Sequence, residues 1–184
     1  PRRRASDAVM ARRNRVTPEG AIVADPARGL FMGNRGSLHD DSGRITAPFR
    51  HRNWVCCLLE FKRRKRKLLQ PGCYTELFFL DEAVALAAGH RPCAECRRAD
   101  YNAFREAWAK ATGSKPSAKA MDAALHEARI IPRLRAQRRH AGDLTELPDG
   151  TFIRWNKAPA LILGDRLLPW APSGYGPPVP RPAS

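Results

Sequence analysis

The feature that most constrains this chain is a pair of cysteines separated by two residues, Cys93 and Cys96, in the segment GHRPCAECRR. In a tight turn, two such thiolates reach one tetrahedral metal ion, and backbone amides of the turn hydrogen-bond the sulfurs. Pro92 and the turn before it, at Gly89, favour such a knuckle. In a redox dithiol, by contrast, a helix usually starts inside the cysteine pair. The pair therefore predicts half of a metal site, with zinc as the expected ion; a redox pair and two inert cysteines are the alternatives.

The remaining metal ligands have to come from other cysteines or histidines. Neighbouring residues of a strand point to opposite faces of a sheet, so Cys56 and Cys57 are not expected to bind the same ion. Cys57 shares its face with the apolar side chains of Val55 and Leu59, which favours Cys57 as the core-facing member of the pair. The candidates that stay open at this point are Cys56, Cys57, Cys73, His39, His51 and His90.

Hydrophobic patterns predict short strands and helices in separate parts of the chain. The strand patterns lie at 20–25, 29–34, 53–61, 75–80 and within 151–170. The helix patterns lie at 81–89, 99–113 and 119–131. Asp81 is the expected N-cap of the first helix, and Gly89 is its expected C-terminal glycine. This segregation predicts an α+β fold, in which small antiparallel hairpins and three short helices surround a zinc knuckle.

The length of the chain, 184 residues, is sufficient for one ordinary domain with appended segments. The two ends are expected to be flexible, because neither can bury enough apolar surface to order itself. The expected organisation is a basic arm at 1–16, a zinc-binding core at 17–113, a helix with short strands packed on that core at 114–172, and a proline-rich tail at 173–184.

The charge of the chain indicates a polyanionic partner. The difference between 33 Lys and Arg and 18 Asp and Glu gives a formal net charge of +15. Neutralising phosphates releases condensed counterions, so nucleic acid is the expected partner, with DNA favoured over RNA. A membrane surface is not expected, because the basic runs lack an amphipathic helix. The candidate phosphate-binding residues are Lys62, Arg63, Arg64, Lys65, Arg66, Lys67, Arg91, Arg97 and Arg98.

The sequence also predicts where the protein works. No segment approaches the roughly 18 consecutive apolar residues needed to span a bilayer, and no apolar signal-peptide core follows the arginine-rich start. The clustering of the five cysteines suits metal coordination in a reducing compartment better than a disulfide framework. The expected location is therefore the cytoplasm, with nucleoid association if the protein binds DNA.

The segment TELFFLDEAVALAAGHRPCAECRRADY, residues 75–101, resembles the second half of the zinc-binding domain of Ada-type DNA methylphosphotriester repair proteins, which also occurs attached to some nucleases. The resemblance implies that Cys93 and Cys96 are two of four zinc ligands, and that FMGNRGSLH, residues 31–39, corresponds to the hairpin with the first ligands. The family has a Cys-x-x-x-Cys pair there, with one cysteine as the methyl acceptor, and this chain has no such pair. Variant modules have a histidine instead. The implied ligand set is His39, Cys57, Cys93 and Cys96, with Cys56 or Cys73 as substitutes for Cys57.

Three functions are compatible with these patterns. The favoured one is a zinc-containing protein that binds DNA in repair or transcription through a structural metal. The second is a nucleic-acid-processing enzyme, either a nuclease that uses His39 with Asp40 and Asp41, or an alkyl acceptor that uses a cysteine. The third is an RNA- or ribosome-associated factor, for which the same charge would serve. Asp122 and His126 lie one helical turn apart and form a further candidate base, but no catalytic residue is assigned.

Overall fold

The largest sheet of the computed structural model, which describes residues 11–64 and 67–182, is mixed and has six strands. They are β1 Arg13–Val16, β2 Ile22–Ala24, β3 Phe31–Asn34, β4 Val55–Leu58, β5 Leu77–Phe79 and β6 Arg91–Pro92. Their order is β2-β1-β5-β3-β4-β6. The β1–β5 and β4–β6 pairs are parallel, and the other pairs are antiparallel. Strand β6 therefore lies at an edge, next to β4.

The chain between β5 and β6 forms a short helix, α1, at Glu82–Ala87. The Asp81 side chain accepts a hydrogen bond from the Val84 backbone N–H, which satisfies one donor that a helix N-terminus leaves free. Gly89 follows with a φ of +85°, a left-handed conformation that glycine adopts at little cost. The structure thus has the capped helix and glycine turn that the sequence predicts, and they return the chain to the sheet just before Cys93.

Two longer helices and a small hairpin follow the cysteine turn. Helix α2, Arg98–Thr112, packs against β6, and helix α3, Ala118–Arg129, begins after its N-cap Ser117. Strands β7, Ile130–Ile131, and β8, Ala136–Gln137, then pair as a two-stranded antiparallel sheet. Within the part of the chain that the structure describes, none of the helices has the length and apolar composition needed to cross a membrane.

A second, antiparallel sheet of five strands follows a 3-10 turn at 144–146. Its strands are β9 Phe152–Trp155, β10 Ala158–Leu163, β11 Arg166–Ala171, β12 Gly174–Tyr175 and β13 Val179–Pro180. Phe152 and Trp170 pack against the core of the six-stranded sheet. The Tyr175 hydroxyl donates a hydrogen bond to the Asp81 carboxylate over 2.7 Å, so this sheet is tied to the N-terminus of α1.

The main core lies between the six-stranded sheet and α1. Its buried members are Val16, Ile22, Leu38, Cys56, Leu77, Phe79, Val84, Ala85 and Ala88. A smaller cluster belongs to the five-stranded sheet and consists of Ala160, Ile162 and Leu167. The alternation of Leu77 and Phe79 in β5 and the helical spacing of Val84 and Ala88 place these apolar side chains on the core side of their elements.

The predicted α+β fold with three short helices around a zinc knuckle is wrong. The described residues form 13 strands in three sheets, so sheet dominates. Helices α2 and α3 are 15 and 12 residues long, and the cysteine turn follows an edge strand instead of lying inside a set of helices. Five of the strands have only two residues, too few to show the alternation by which a sequence reveals a strand; they are β6, β7, β8, β12 and β13.

The two ends of the chain differ in part from the predicted flexible segments. Strand β1, which lies within the predicted arm at 1–16, buries Asn14 and Val16 in the sheet. Strands β12 and β13 lie within the predicted tail at 173–184. Residues 1–10 and 183–184 lie outside the described residues. The division into a core at 17–113 and a packed segment at 114–172 stays a prediction.

Candidate metal centre

The structure brings three cysteines together at the edge of the six-stranded sheet. Cys57 comes from β4, and Cys93 and Cys96 come from the turn after β6. Their sulfur atoms all lie within 4.8 Å of one another. In the described part of the chain, no other group of three or more His, Cys, Asp or Glu side chains has ligand atoms this close together. The three cysteines can therefore hold a metal ion.

Strand pairing creates this cluster. The backbone N–H of Cys93 donates to the carbonyl of Cys56 over 2.9 Å, which continues the parallel β4–β6 pairing by one residue and sets the turn beside Cys57. Within the turn, the backbone N–H of Glu95 donates to the Cys93 sulfur over 3.4 Å, and that of Arg97 donates to the Cys93 carbonyl over 3.1 Å. These bonds form the knuckle in which both thiols of the pair face the same point.

The two neighbouring cysteines of β4 do face opposite sides of the sheet, but the core-facing member is Cys56 and not Cys57 as predicted. Cys57, the third cysteine of the implied ligand set, lies with Cys93 and Cys96. Cys56 is fully buried in the core, and Cys57 is only half-buried and faces the cluster. Trp54, two residues before Cys56, is also buried, and this large ring sets the core face of the strand. Burial raises the pKa of Cys56 to about 12 even though Arg97 donates a hydrogen bond to its sulfur, so Cys56 stays a thiol.

The structure does not place His39 with the three cysteines. Its Nδ1 lies 2.6 Å from the Thr75 hydroxyl, and its Nε2 lies 3.1 Å from the backbone carbonyl of Gln70. The Thr75 hydroxyl in turn accepts a hydrogen bond from the Leu38 backbone N–H. Both ring nitrogens are engaged, so His39 joins two loops and is not free to ligate a metal in this conformation. Sequence reasoning missed this role because Thr75 lies far away along the chain.

Asp40, the partner of His39 in the nuclease hypothesis, belongs to a local turn. Its carboxylate accepts hydrogen bonds from the Ser42 hydroxyl and from the backbone N–H and guanidinium of Arg44. These bonds, from Ser42 first, lower the pKa of Asp40 to about 2. A general base works best with a pKa near the operating pH, so the Asp40 carboxylate is a weak base for hydrolysis.

The three clustered thiols differ in acidity. Hydrogen bonds from the Cys57 thiol and from backbone N–H groups of the turn lower the pKa of Cys93 to about 5. The same contact with Cys93, together with burial, raises the pKa of Cys57, and burial raises the pKa of Cys96. Without a metal, Cys93 is therefore the most acidic of the three thiols. A bound cation is needed before the other two sulfurs lose their protons.

A cavity of about 370 Å³ adjoins the cluster, and all three cysteines contribute to its wall. The rest of the wall is mainly apolar. Its apolar members include Met32, Leu58, Leu59, Phe61, Leu68 and Phe78. Three protein ligands fill only three positions of a tetrahedral zinc ion, so such an ion would keep one position for a further ligand.

The basic segment 62–67 begins beside the cysteine turn. The guanidinium of Arg64 lies 2.8 Å from the carboxylate of Glu95, and the ammonium of Lys62 lies 3.6 Å from it. Arg63 and Lys67 are exposed, and Lys65 and Arg66 lie outside the described residues. Sequence reasoning missed Glu95, although an acidic residue between two cysteines of so basic a chain was the available signal.

The three arginines predicted to contact phosphate near the cysteines have different environments. Arg91 is 4% exposed and makes a two-pronged ion pair with Asp122, at 2.7 and 2.8 Å. Arg97 is 5% exposed and pairs with Glu82 and Asp100. Both guanidiniums stabilise the fold and are not available to an external phosphate. Of the three, Arg98 is the exposed one.

The ion pair with Arg91 also decides the role of Asp122. Both of its carboxylate oxygens accept hydrogen bonds from Arg91, so Asp122 does not orient His126 as a base. The His126 ring instead packs edge-on against Phe49 and Trp54. Burial and the neighbouring Arg129 lower the pKa of His126, so the ring is neutral at pH 7.

Neither the fold nor the cysteine cluster identifies a relative of this chain. Comparison with models of protein families, with curated proteins and with solved structures finds no match.

Proposed function

We propose that the protein is a zinc-containing nucleic-acid-binding protein, with DNA as its favoured partner, acting in repair or transcription. The observation that carries the proposal is the cluster of Cys57, Cys93 and Cys96, whose sulfurs lie within 4.8 Å of one another beside a strongly basic segment. The likeness of residues 75–101 to the Ada-type domain agrees with this choice of ligands.

Zinc is the metal that fits the donor set best. Thiolates are soft ligands, and zinc is the divalent ion most often bound by three or four cysteines in a Cys-x-x-Cys knuckle. The backbone N–H groups that point at the Cys93 sulfur are the outer interactions such a site uses to orient its ligands.

The cysteine turn connects the proposed metal centre to the basic segment, which is the proposed nucleic-acid-binding part of the chain. A bound ion fixes the turn, the turn carries Glu95, and Glu95 pairs with Lys62 and Arg64 at the start of the basic segment. Exposed Arg63, Lys67 and Arg98 remain free for phosphate oxygens, which would be bound without reading bases. Binding should therefore depend on both the metal and the salt concentration.

The test is a paired measurement of metal content and DNA affinity on the full chain. We expect about one zinc ion per chain in the wild type, and strong loss of zinc in Cys57→Ser and Cys93→Ser. Cys73→Ser is the matched control, because Cys73 is exposed and lies outside the cluster. Duplex DNA should bind the wild type and Cys73→Ser equally, with an affinity that falls steeply as salt rises.

Two results would contradict the proposal. A wild type that binds no metal under reducing conditions would remove the zinc assignment. An affinity for DNA that does not change with salt would remove phosphate binding by the basic segment. Stronger binding to structured RNA than to duplex DNA of equal length would replace DNA by RNA as the partner.

A second candidate function follows from the cavity at the cluster. The three sulfurs line a space of about 370 Å³, so one metal-bound thiolate would be accessible to an alkylated phosphate. In that reaction a sulfur forms a bond to the methyl carbon, the bond from that carbon to the phosphate oxygen breaks, and the phosphodiester leaves with the electron pair. Mass spectrometry of the metal-loaded protein, after incubation with DNA that carries methylphosphotriesters, tests it. A stoichiometric gain of one methylene mass on a cluster cysteine supports the candidate, and an unchanged mass excludes it.

A further inference from the structure

Arg35, at the turn after β3, is buried with almost no exposure to solvent. Its guanidinium lies over the ring of Trp54, 4.2 Å from the centroid. Its N–H groups donate to the Gly20 carbonyl over 2.9 Å, to the His90 Nε2 over 3.3 Å and to the Ala88 carbonyl over 3.5 Å. These are neutral partners. They accept hydrogen bonds from three of the five N–H donors of the arginine, and none of them carries a negative charge that would balance the guanidinium.

The other two buried arginines, unlike Arg35, each have a carboxylate partner. Arg35, Arg91 and Arg97 are 2%, 4% and 5% exposed. Arg91 faces a carboxylate with two hydrogen bonds, and Arg97 faces two carboxylates. Among the described residues, no carboxylate lies within ion-pair distance of Arg35. A desolvated charge without an opposite charge is costly, so this site lacks an anion that the other two have.

The surroundings of Arg35 increase its charge imbalance. Arg129 lies over the same Trp54 ring, 3.9 Å from the centroid, and its hydrogen bonds go to the backbone carbonyls of Gly89 and Arg52. Its buried Nε has no hydrogen-bond partner. Burial, together with the charge of Arg129, lowers the pKa of Arg35 to about 9, which still leaves both guanidiniums charged at neutral pH.

Arg35 opens onto two adjoining cavities of about 300 and 280 Å³, which share Gly20, Ala21, Arg35 and Pro48 in their walls. The first cavity also has Arg13, and the second has Arg135 and Arg139. Glu19 lines the second cavity, but its carboxylate pairs with Arg139 and with Arg154 outside the cavity. Neither cavity shares a residue with the cysteine cavity.

We propose that these adjoining cavities form a phosphate-binding site, in which Arg35 is the central ligand and Arg135 closes the site from the outside. A phosphate group supplies the missing negative charge and accepts the guanidinium N–H groups that the protein leaves unused, and the planar fork of an arginine matches two phosphate oxygens. Trp54 is buried and both guanidiniums lie over its ring, so the ring is not available to stack on a base. The site recognises the phosphate and not the base.

This site is separate from the proposed metal centre, and its test has a separate readout. Isothermal titration of the full, metal-loaded chain with inorganic phosphate, against chloride at equal ionic strength, measures binding directly. We expect saturable binding that weakens by about tenfold or more in Arg35→Gln, because a charge-assisted pair of hydrogen bonds is lost. The zinc content, measured in the same samples, should stay unchanged.

Because Arg35→Gln alters a buried position and can impair folding, a variant at an exposed position provides the second test. Arg135→Gln should weaken phosphate binding by about tenfold while the protein stays folded. Arg133→Gln is the matched control, since Arg133 is exposed in the same segment and lines neither cavity. Equal phosphate affinity in the wild type and in both cavity variants would overturn the proposal.

The source of the phosphate is decided by comparing ligands that share the same group. A nucleoside monophosphate and an oligonucleotide with a 5′-phosphate are titrated beside inorganic phosphate and the same oligonucleotide with a 5′-hydroxyl. Preference for the 5′-phosphate supports a strand-end site, and equal binding of both oligonucleotides supports an internal backbone phosphate. Binding of inorganic phosphate and the nucleoside monophosphate alone supports a small phosphorylated ligand. No saturable binding of any of these overturns the proposal.

Discussion

The two sides of strand β4 carry opposite charge imbalances. On one side, Cys57 joins Cys93 and Cys96 in a cluster of sulfurs, two of which, Cys57 and Cys96, need a cation before they lose their protons. On the other side, Trp54 is enclosed by two guanidiniums that have no carboxylate within ion-pair distance in the described residues. The missing charge is positive in the first case and negative in the second. The comparison teaches that a buried group without an opposite charge beside it can indicate the sign of the ligand that it would bind.

Removal of the metal should have the largest effect on stability. If zinc is present at about a thousandfold excess over its dissociation constant, chelation should lower the free energy of unfolding by about 4 kcal/mol. Denaturant titration with and without chelator measures the change. Cys57→Ser should already be destabilised and should respond little to chelator, while Cys73→Ser should behave like the wild type. An equal response of Cys57→Ser and the wild type would show that the cluster does not hold the metal.

Breaking the Arg91–Asp122 pair tests whether a buried guanidinium in this fold requires a carboxylate. Asp122→Asn leaves Arg91 desolvated and uncompensated, and we expect a loss of about 3 kcal/mol in the free energy of unfolding. Replacing both partners, by Arg91→Met with Asp122→Leu, should recover much of that loss. A cost below about 1 kcal/mol for Asp122→Asn would weaken the argument that Arg35 needs an anion.

His90, which lies beside Arg35, should also make the stability of the fold sensitive to acid. Burial, and then the charges of Arg35 and Arg129, lower the pKa of His90 well below 6.5, so the folded protein keeps this ring neutral. The unfolded chain takes up the proton near pH 6.5. On account of this group, stability should therefore be highest above pH 6.5 and should fall as the pH decreases below 6.5.

Denaturant titrations across this pH range measure that slope. His90→Phe should have a shallower dependence on pH than the wild type, and His140→Gln, at an exposed position, serves as the control. If the free energy of unfolding depends on pH equally in all three proteins, groups other than His90 cause the acid sensitivity.

The smallest effect is expected at the surface pair beside the cysteines. Glu95→Gln removes the partner of Lys62 and Arg64, but exposed ion pairs contribute little, so the free energy of unfolding should change by less than about 1 kcal/mol. Zinc content should stay at the wild-type level, since Glu95 is not in the cluster. Loss of zinc in this variant would mean that the carboxylate takes part in metal binding, and would revise the ligand set.

Sequence reasoning succeeded where neighbouring residues determine the backbone. The Asp81 cap and the Gly89 turn lie within a few residues of the helix they bound, and both have the predicted conformation. The turn that carries Cys93 and Cys96 was likewise readable from Pro92 and the cysteine spacing. Reasoning missed the strands that are only two residues long, because such strands exist through their pairing and not through a pattern of their own; they are β6, β7, β8, β12 and β13.

The sequence by itself determined the donor types, the capped helix and the cysteine turn, because each depends on contacts between residues close along the chain. Only the tertiary structure decided that Cys57 joins the pair while His39 binds Thr75 and Gln70. It also decided which arginines are neutralised. These outcomes depend on strand register and on which face of β4 the core covers, and both are set by packing between segments far apart in the chain.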